Sequence, residues 1–230
     1  MKTLRAVAWI VSLGSTALLS SCDNEQPRPQ CTVGRGEHAV RYVLVSGSGT
    51  CANKTAEIVG AQIFRTPGSG IPPSVVFKPA PLAANTGKDP SEENSITATG
   101  DFTTEYPGDD EVCEAPSFSE ARQLVVQADG TTTVDTRYQW SNVRVQGSAA
   151  IPGTQWTADL VYSEGGCTAT YRAVGMFPAI RCLRSGMRDP AVCKQPQPGL
   201  SIDPAFPTTC DESTNLCVLA GEPPVLLPQQ

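Results

Sequence analysis

Alternation with a period of two runs through the middle of this chain and restricts it to strands. The even positions Val134, Thr136, Tyr138 and Trp140 are opposed by Asp135, Arg137, Gln139 and Ser141. Successive side chains of a strand point to opposite faces, so the pattern describes one dry face and one wet face. The apolar parity then moves to Val143 and Val145. A one-residue slip would turn the dry face to water, so a bulge or bend is expected near Ser141-Asn142. Ile96 to Tyr106 repeats the pattern, with Ile, Ala, Gly, Phe, Thr and Tyr on its even positions. Asp129-Gly130, between Gln123–Val126 and Val134, marks a hairpin turn. Ala39–Val45, Glu57–Phe64, Ser74–Phe77, Trp156–Tyr162 and Thr168–Gly175 are further expected strands.

These segments amount to about eight strands between His38 and Gly175, with no sustained helical periodicity. Short turn-rich connections favour an all-β fold of mostly antiparallel strands in a meander-type barrel or sandwich. A closed barrel would offer an interior for a small apolar ligand, an expectation by analogy of fold alone. Strands as short as Ser74–Phe77 argue against a barrel that spans a membrane. Pro67 to Pro90 is rich in Pro, Gly and Ala and reads as a long surface loop around that short strand. From Arg184 onward alternation is lost, and an irregular, cysteine-rich segment is expected to wrap the β domain. The end, Gly221 to Gln230, reads as a loose tail.

Cysteines set the compartment. Cys22 closes the run Leu19-Ser20-Ser21-Cys22, behind Lys2, Arg5 and the apolar stretch Ala6–Leu19. That layout is an export signal, too short for a stop-transfer helix. An aliphatic residue three places before a cysteine, with small residues between, looks like the lipobox of bacterial lipoproteins. The resemblance implies a diacylglycerol thioether on Cys22, cleavage after Ser21 and acylation of the new amine, palmitate being the expected chain. The nine cysteines then leave eight: Cys31, Cys51, Cys113, Cys167, Cys182, Cys193, Cys210 and Cys217. An exported chain meets an oxidising compartment, so up to four disulfides are expected among about 105 connectivities. No C-x-x-C pair occurs, and a zinc site is not expected.

The expected organisation is a signal peptide over 1–21, a polar tether over 22–30 and a β domain over 31–182. An irregular cysteine-rich segment over 183–217 and a tail over 218–230 complete it. Processing would take Lys2 and Arg5 from 17 basic side chains against 23 acidic ones, leaving a net charge near −8. That balance argues against nucleic acid as a partner and against a polybasic membrane patch. The membrane partner is the lipid on Cys22, with a protein or a small apolar ligand as the further expectation. Asp23-Asn24 resembles the inner-membrane retention signal of enteric bacteria. The inner membrane is therefore favoured over the outer one.

Few constellations promise chemistry. Gly47 to Thr55 resembles a phosphate-binding loop, but Ala52 and Asn53 stand where glycine and lysine are required, and a strand follows. His38, the one histidine, has no nucleophile motif beside it and reads as structural or solvent-exposed. Asp89, Glu92, Glu93, Asp101, Glu105, Asp109, Asp110, Glu111, Glu114 and Glu120 form an acidic stretch without Lys or Arg up to Glu120. Asp109-Asp110-Glu111 could offer oxygens to calcium, although the spaced pattern of an EF-hand is missing. No catalytic, cofactor-binding or metal residue is assigned.

Beyond the lipobox, Cys31 to Glu37, Tyr42 to Gly47, Cys167 to Tyr171 and Cys210-Asp211 with Leu216 to Leu219 resemble uncharacterised lipoproteins of myxobacteria. The resemblance is spread over most of the mature chain and carries no catalytic residue. It implies an envelope lipoprotein and adds no mechanism. The residues themselves, with no chemical motif among them, are read as a binding or structural module that is not an enzyme. The alternative is a secreted hydrolase using carboxylates of the acidic 89–120 stretch. Two of those carboxylates meeting in one cleft would favour the alternative.

Overall fold

A computed structural model describes residues 29–66, 69–126, 128–130, 133–194, 202 and 206–226. The expected signal peptide, Cys22 and most of the expected tether lie outside these residues. The chain forms β1 (Gly36–Gly47), β2 (Ala56–Phe64), β3 (Ser74–Pro79), β4 (Ala98–Asp101) and β5 (Val112–Ser117). It continues through β6 (Ala121–Val126), β7 (Thr133–Gln146), β8 (Gln155–Glu164) and β9 (Cys167–Met176). Nine strands make one sheet in the order β4-β3-β2-β1-β9-β8-β7-β5, with β6 also on β7, and every pairing is antiparallel.

The sheet curls into a nearly closed meander barrel of eight staves, because β5 and β6 act as one. Both lie along the same edge of β7, β5 on Ser141–Gln146 and β6 on Thr133–Tyr138. The seam between that composite stave and β4 is bridged by backbone bonds. Thr103 N–H donates to Glu114, Ser119 N–H to Thr99 and Arg122 N–H to Ser95, at 2.7–2.8 Å. The alternatives of barrel and sandwich thus resolve to a barrel, whose closure leaves few bare edges.

The parity change in β7 is a bulge between Ser141 and Arg144, with Asn142 at φ 49°. It keeps Tyr138, Trp140, Val143 and Val145 all buried, as the alternation requires. Aromatic rings fill the barrel axis. Phe77 stacks on Trp156 at 4.6 Å between centroids, and Trp140 meets Trp156 edge-on at 5.9 Å. Gly175 makes room for the indole of Trp156, since a Cβ there would lie 2.1 Å from it. The interior expected to hold a small apolar ligand is instead occupied by the protein's own side chains, as in other small barrels.

Ile96–Tyr106 departs from its expectation. Only Ala98–Asp101 is strand; Phe102 N–H continues along the β3 edge to Pro73, and Thr103 N–H then turns to Glu114 to bridge the seam. The Pro-rich loop holds one short helix, α1 (Ala80–Ala84), whose Leu82 is buried against the barrel. Past β9 the expected irregular segment has sheets of its own. β10 (Ile180–Arg181), β13 (Thr208–Cys210) and β14 (Leu216–Leu219) form one, and β11 (Leu183–Arg184) pairs with β12 (Met187–Arg188). Alternation missed them because each has four residues or fewer.

Four disulfides join the eight cysteines of the described residues: Cys31–Cys113, Cys51–Cys167, Cys182–Cys210 and Cys193–Cys217. The last two staple the C-terminal module to itself. Packing holds it to the barrel wall, where Leu216 and Val218 cover Ala39 and Ala56. The expected loose tail is docked as far as Leu226. That side chain is fully buried, and its carbonyl accepts from Arg144 Nη1 at 2.8 Å.

Candidate functional site

The two ends of the barrel differ. One carries Gly36, Phe64, Ser74 and Gln155 and is tied to Cys31 through Cys113; the other, here the mouth, carries Gly47, Ala56, Val126 and Glu164. A 3-10 turn over Thr50–Asn53 folds across the mouth and is fastened to β9 by Cys51–Cys167. Lys54 follows that turn, and Glu57 stands on β2 at the parity of Val59 and Ala61, facing inward. A carboxylate on a dry face needs a buried partner.

Lys54 is that partner. Its Nζ lies 2.5 Å from Glu57 Oε2, with the two side chains 13% and 8% exposed. Tyrosines surround the pair. Tyr42 donates to Glu57 Oε1, Tyr138 donates to Glu57 Oε2 at 3.0 Å, and Lys54 Nζ donates to Tyr138 Oη at 3.0 Å. The ammonium also sits 4.6–5.2 Å from the ring centroids of Tyr42, Tyr138 and Tyr162, within cation–π range. Tyr171 accepts from Lys54 N–H and donates to Cys51 C=O, which holds the turn in place. Burial, then the charge of Glu57, pushes the phenols of Tyr42 and Tyr138 well above the ordinary range. They stay neutral donors, so the cluster is a satisfied polar lock.

Beside it opens a groove of about 530 Å³ between α1, β6 and β7. Leu82, Val125, Val126 and Val134 supply apolar wall; Gln123, Tyr162, Glu164 and Lys88 supply polar groups. Gln123 is buried and donates to Asn85 C=O at 2.7 Å, and Tyr162 donates to Glu164 at 2.8 Å. The lining is about equally polar and apolar, so a ligand there would meet hydrogen-bonding groups as well as apolar wall.

A larger groove, about 900 Å³, lies on the barrel wall and gathers Asp109, Asp110 and Glu114 from the acidic stretch. Carboxylates thus do converge there, the arrangement that would favour a hydrolase. Arg144 holds two of them, Asp110 at 3.3 Å and Glu114 at 3.1 Å, with their side chains 30% and 56% exposed. An acid–base pair needs burial or unequal environments to separate its protonation states; these two share one cation near water. Asp109 lines the same groove, and the other carboxylates of the stretch lie outside it. Asp89, for one, caps backbone at Ser91 and Leu124, and those hydrogen bonds lower its pKa despite partial desolvation. Among the described residues, the group whose ligand atoms could together hold a metal is Cys182, Cys193 and Cys217, and all three are disulfide-bonded.

His38 is buried rather than exposed. Its Nε2–H donates to Gly34 C=O at 2.8 Å, and Nδ1 accepts from Trp156 Nε1 at 3.1 Å. Burial lowers its pKa to about 4. The unfolded chain therefore binds the extra proton first, and stability falls as pH drops from 6.5 towards 4. The loss is expected to reach about 3 kcal/mol at pH 4. Urea unfolding at pH 7.5 and pH 4 measures it. Because the chain has one histidine, its imidazole NMR signals should titrate near 4. A midpoint near 6.5 would contradict the burial.

Gly47 to Thr55 forms the end of β1 and the 3-10 turn, with no helix of the phosphate-binding kind. Lys54 and Glu57 carried no sequence motif. The available signal was the carboxylate at an inward parity of β2. Among the described residues no helix is long and apolar enough to cross a membrane.

The MlpA family model matches residues 36–178, from the start of β1 to just past β9. A Myxococcus xanthus protein provisionally named lipoprotein MlpA is 31% identical over 229 residues, 94% of this chain and 95% of that relative. No solved structure matches the chain.

Proposed function

The chain belongs to the MlpA family of myxobacterial-like lipoproteins, and from that premise we propose a lipid-anchored protein of the bacterial envelope whose barrel is a non-catalytic binding module. The observation that carries the anchor is Leu19-Ser20-Ser21-Cys22 behind a charged and then apolar leader. In this reading Cys22 bears the lipid and residues 23–30 are the tether. More than one acyl chain makes release negligible, at roughly 0.8 kcal/mol for each buried methylene. Binding falls to the groove at the mouth, since side chains fill the barrel axis. The non-catalytic half rests on how the charged groups are used. Glu57 is locked by Lys54, Asp110 and Glu114 by Arg144.

Cys22→Ala should leave the precursor unprocessed or release the protein from membranes. Normal maturation with unchanged membrane retention in that variant would overturn the anchor. Asp23-Asn24 favours the inner membrane, and a density gradient reads this separately: recovery with outer-membrane markers reverses the side and keeps the anchor.

A further inference from the structure

The point at which the tether joins the barrel is built. Arg65, directly after β2, donates to Gln30 Oε1 at 2.7 Å, to Thr32 Oγ1 at 3.1 Å and to Cys31 C=O at 3.4 Å. From the other side Glu105 accepts from Gln30 Nε2 and, through its carbonyl, from Cys31 N–H, both at 2.8 Å. Cys31 is then bonded to Cys113 at the start of β5. The tether therefore leaves at a fixed place on the end of the barrel opposite the mouth.

That same rim carries large apolar side chains in water. Phe64, the last residue of β2, is 52% exposed, and Ile71, in the β2–β3 connection beside Pro72 and Pro73, is 64% exposed. Phe64 immediately precedes Arg65, the residue that grips the tether, Ile71 follows in the same connection, and burying both in the fold would have been favourable. From Cys22 to Gln30 the tether spans at most about 30 Å, so this rim is never far from the lipid.

We propose that the tether end of the barrel rests on the bilayer, with Phe64 and Ile71 set into the headgroup boundary. The inference depends on the proposed lipidation of Cys22. Two apolar side chains alone would hold a free protein weakly. The anchor makes their contact intramolecular, at an effective concentration near millimolar, so a weak contact is enough to orient the barrel. An aromatic and an aliphatic side chain at the interface, Phe64 and Ile71, fit the usual make-up of a membrane-surface contact. The contact turns the mouth and its groove away from the membrane, towards soluble partners or ligands.

The test uses full-length lipidated protein in vesicles of phosphatidylethanolamine and phosphatidylglycerol, with and without acyl chains brominated near the carbonyls. Ile71→Trp places a fluorophore on the rim, and Val126→Trp places one at the mouth. Trp140 and Trp156 are fully buried and give a constant background. Brominated lipid should quench the added emission of Ile71→Trp at least twofold and leave that of Val126→Trp unchanged. Mass spectrometry of the N-terminal peptide separates the failures. Lipid on Cys22 with equal quenching at both positions overturns the orientation alone. Absence of lipid on Cys22 overturns the orientation and the anchor together. Cross-linking of the rim to a protein in native membranes, without quenching in vesicles, assigns Phe64 and Ile71 to a protein partner and also overturns the proposal.

Discussion

Lys54→Met and Glu57→Gln are each expected to cost about 3–5 kcal/mol of folding stability, because each strands one buried group of an ion pair. Lys54→Met leaves the Glu57 carboxylate inside the barrel with phenol donors alone; Glu57→Gln leaves an ammonium among three rings with no counter-charge. The double variant should be more stable than either single one. A glutamine still accepts from Tyr42 and Tyr138, and a methionine packs well against tyrosine faces. The coupling read from urea unfolding of the four proteins is expected to exceed about 2 kcal/mol. Single costs that simply add would show that the pair is not a unit. The lock then could not be what closes the mouth.

Removing Cys51–Cys167 with paired alanines should be the most damaging disulfide loss. The bridge spans 116 residues, against 24 for Cys193–Cys217. Restricting the unfolded chain over those loops corresponds to about 5 and about 3.5 kcal/mol respectively. A second effect adds to the first. Cys51 lies in the turn that delivers Lys54, and its carbonyl accepts from Tyr171. Without the bridge the turn has less to hold it over the mouth, so the Lys54–Glu57 lock should weaken too. Hydrogen exchange of Lys54 N–H, which donates to Tyr171, should accelerate in the Cys51/Cys167 variant and stay unchanged in the Cys193/Cys217 variant. A larger stability loss from Cys193–Cys217 would contradict the loop-length argument.

Both predictions treat the mouth as a rigid frame for the adjoining groove. Tyr162 belongs to both, ringing the Lys54 ammonium on one side and lining the groove on the other. A loosened lock would therefore change the groove without touching its other walls.

What the sequence determined by itself was local. The inward faces of β7 and β8 are legible because a strand surrounded by core on one side must alternate, and Tyr138, Trp140, Trp156 and Leu160 do. Even the bulge after Ser141 is written there, since a parity change has no other solution. The eight oxidised cysteines follow from counting. β5 (Val112–Ser117) is not among the expected strands, and the eight staves equal the expected eight strands only because β5 and β6 share one edge of β7. Closure, pairing and the lock do not follow from the sequence, because each depends on residues distant along the chain. Glu114 meets Thr103 only once the sheet curls, and 116 residues separate Cys51 from Cys167. Ile96–Tyr106 reads as one long strand, yet its ends turn aside to bridge the seam. Leu226 reads as tail until Arg144 on β7 offers its carbonyl a donor. Glu57 announced only that it lacked a partner. The tertiary structure decided which one, because the curl of the sheet brings the turn after β1 across the opening, where Lys54, Tyr42 and Tyr138 reach the carboxylate.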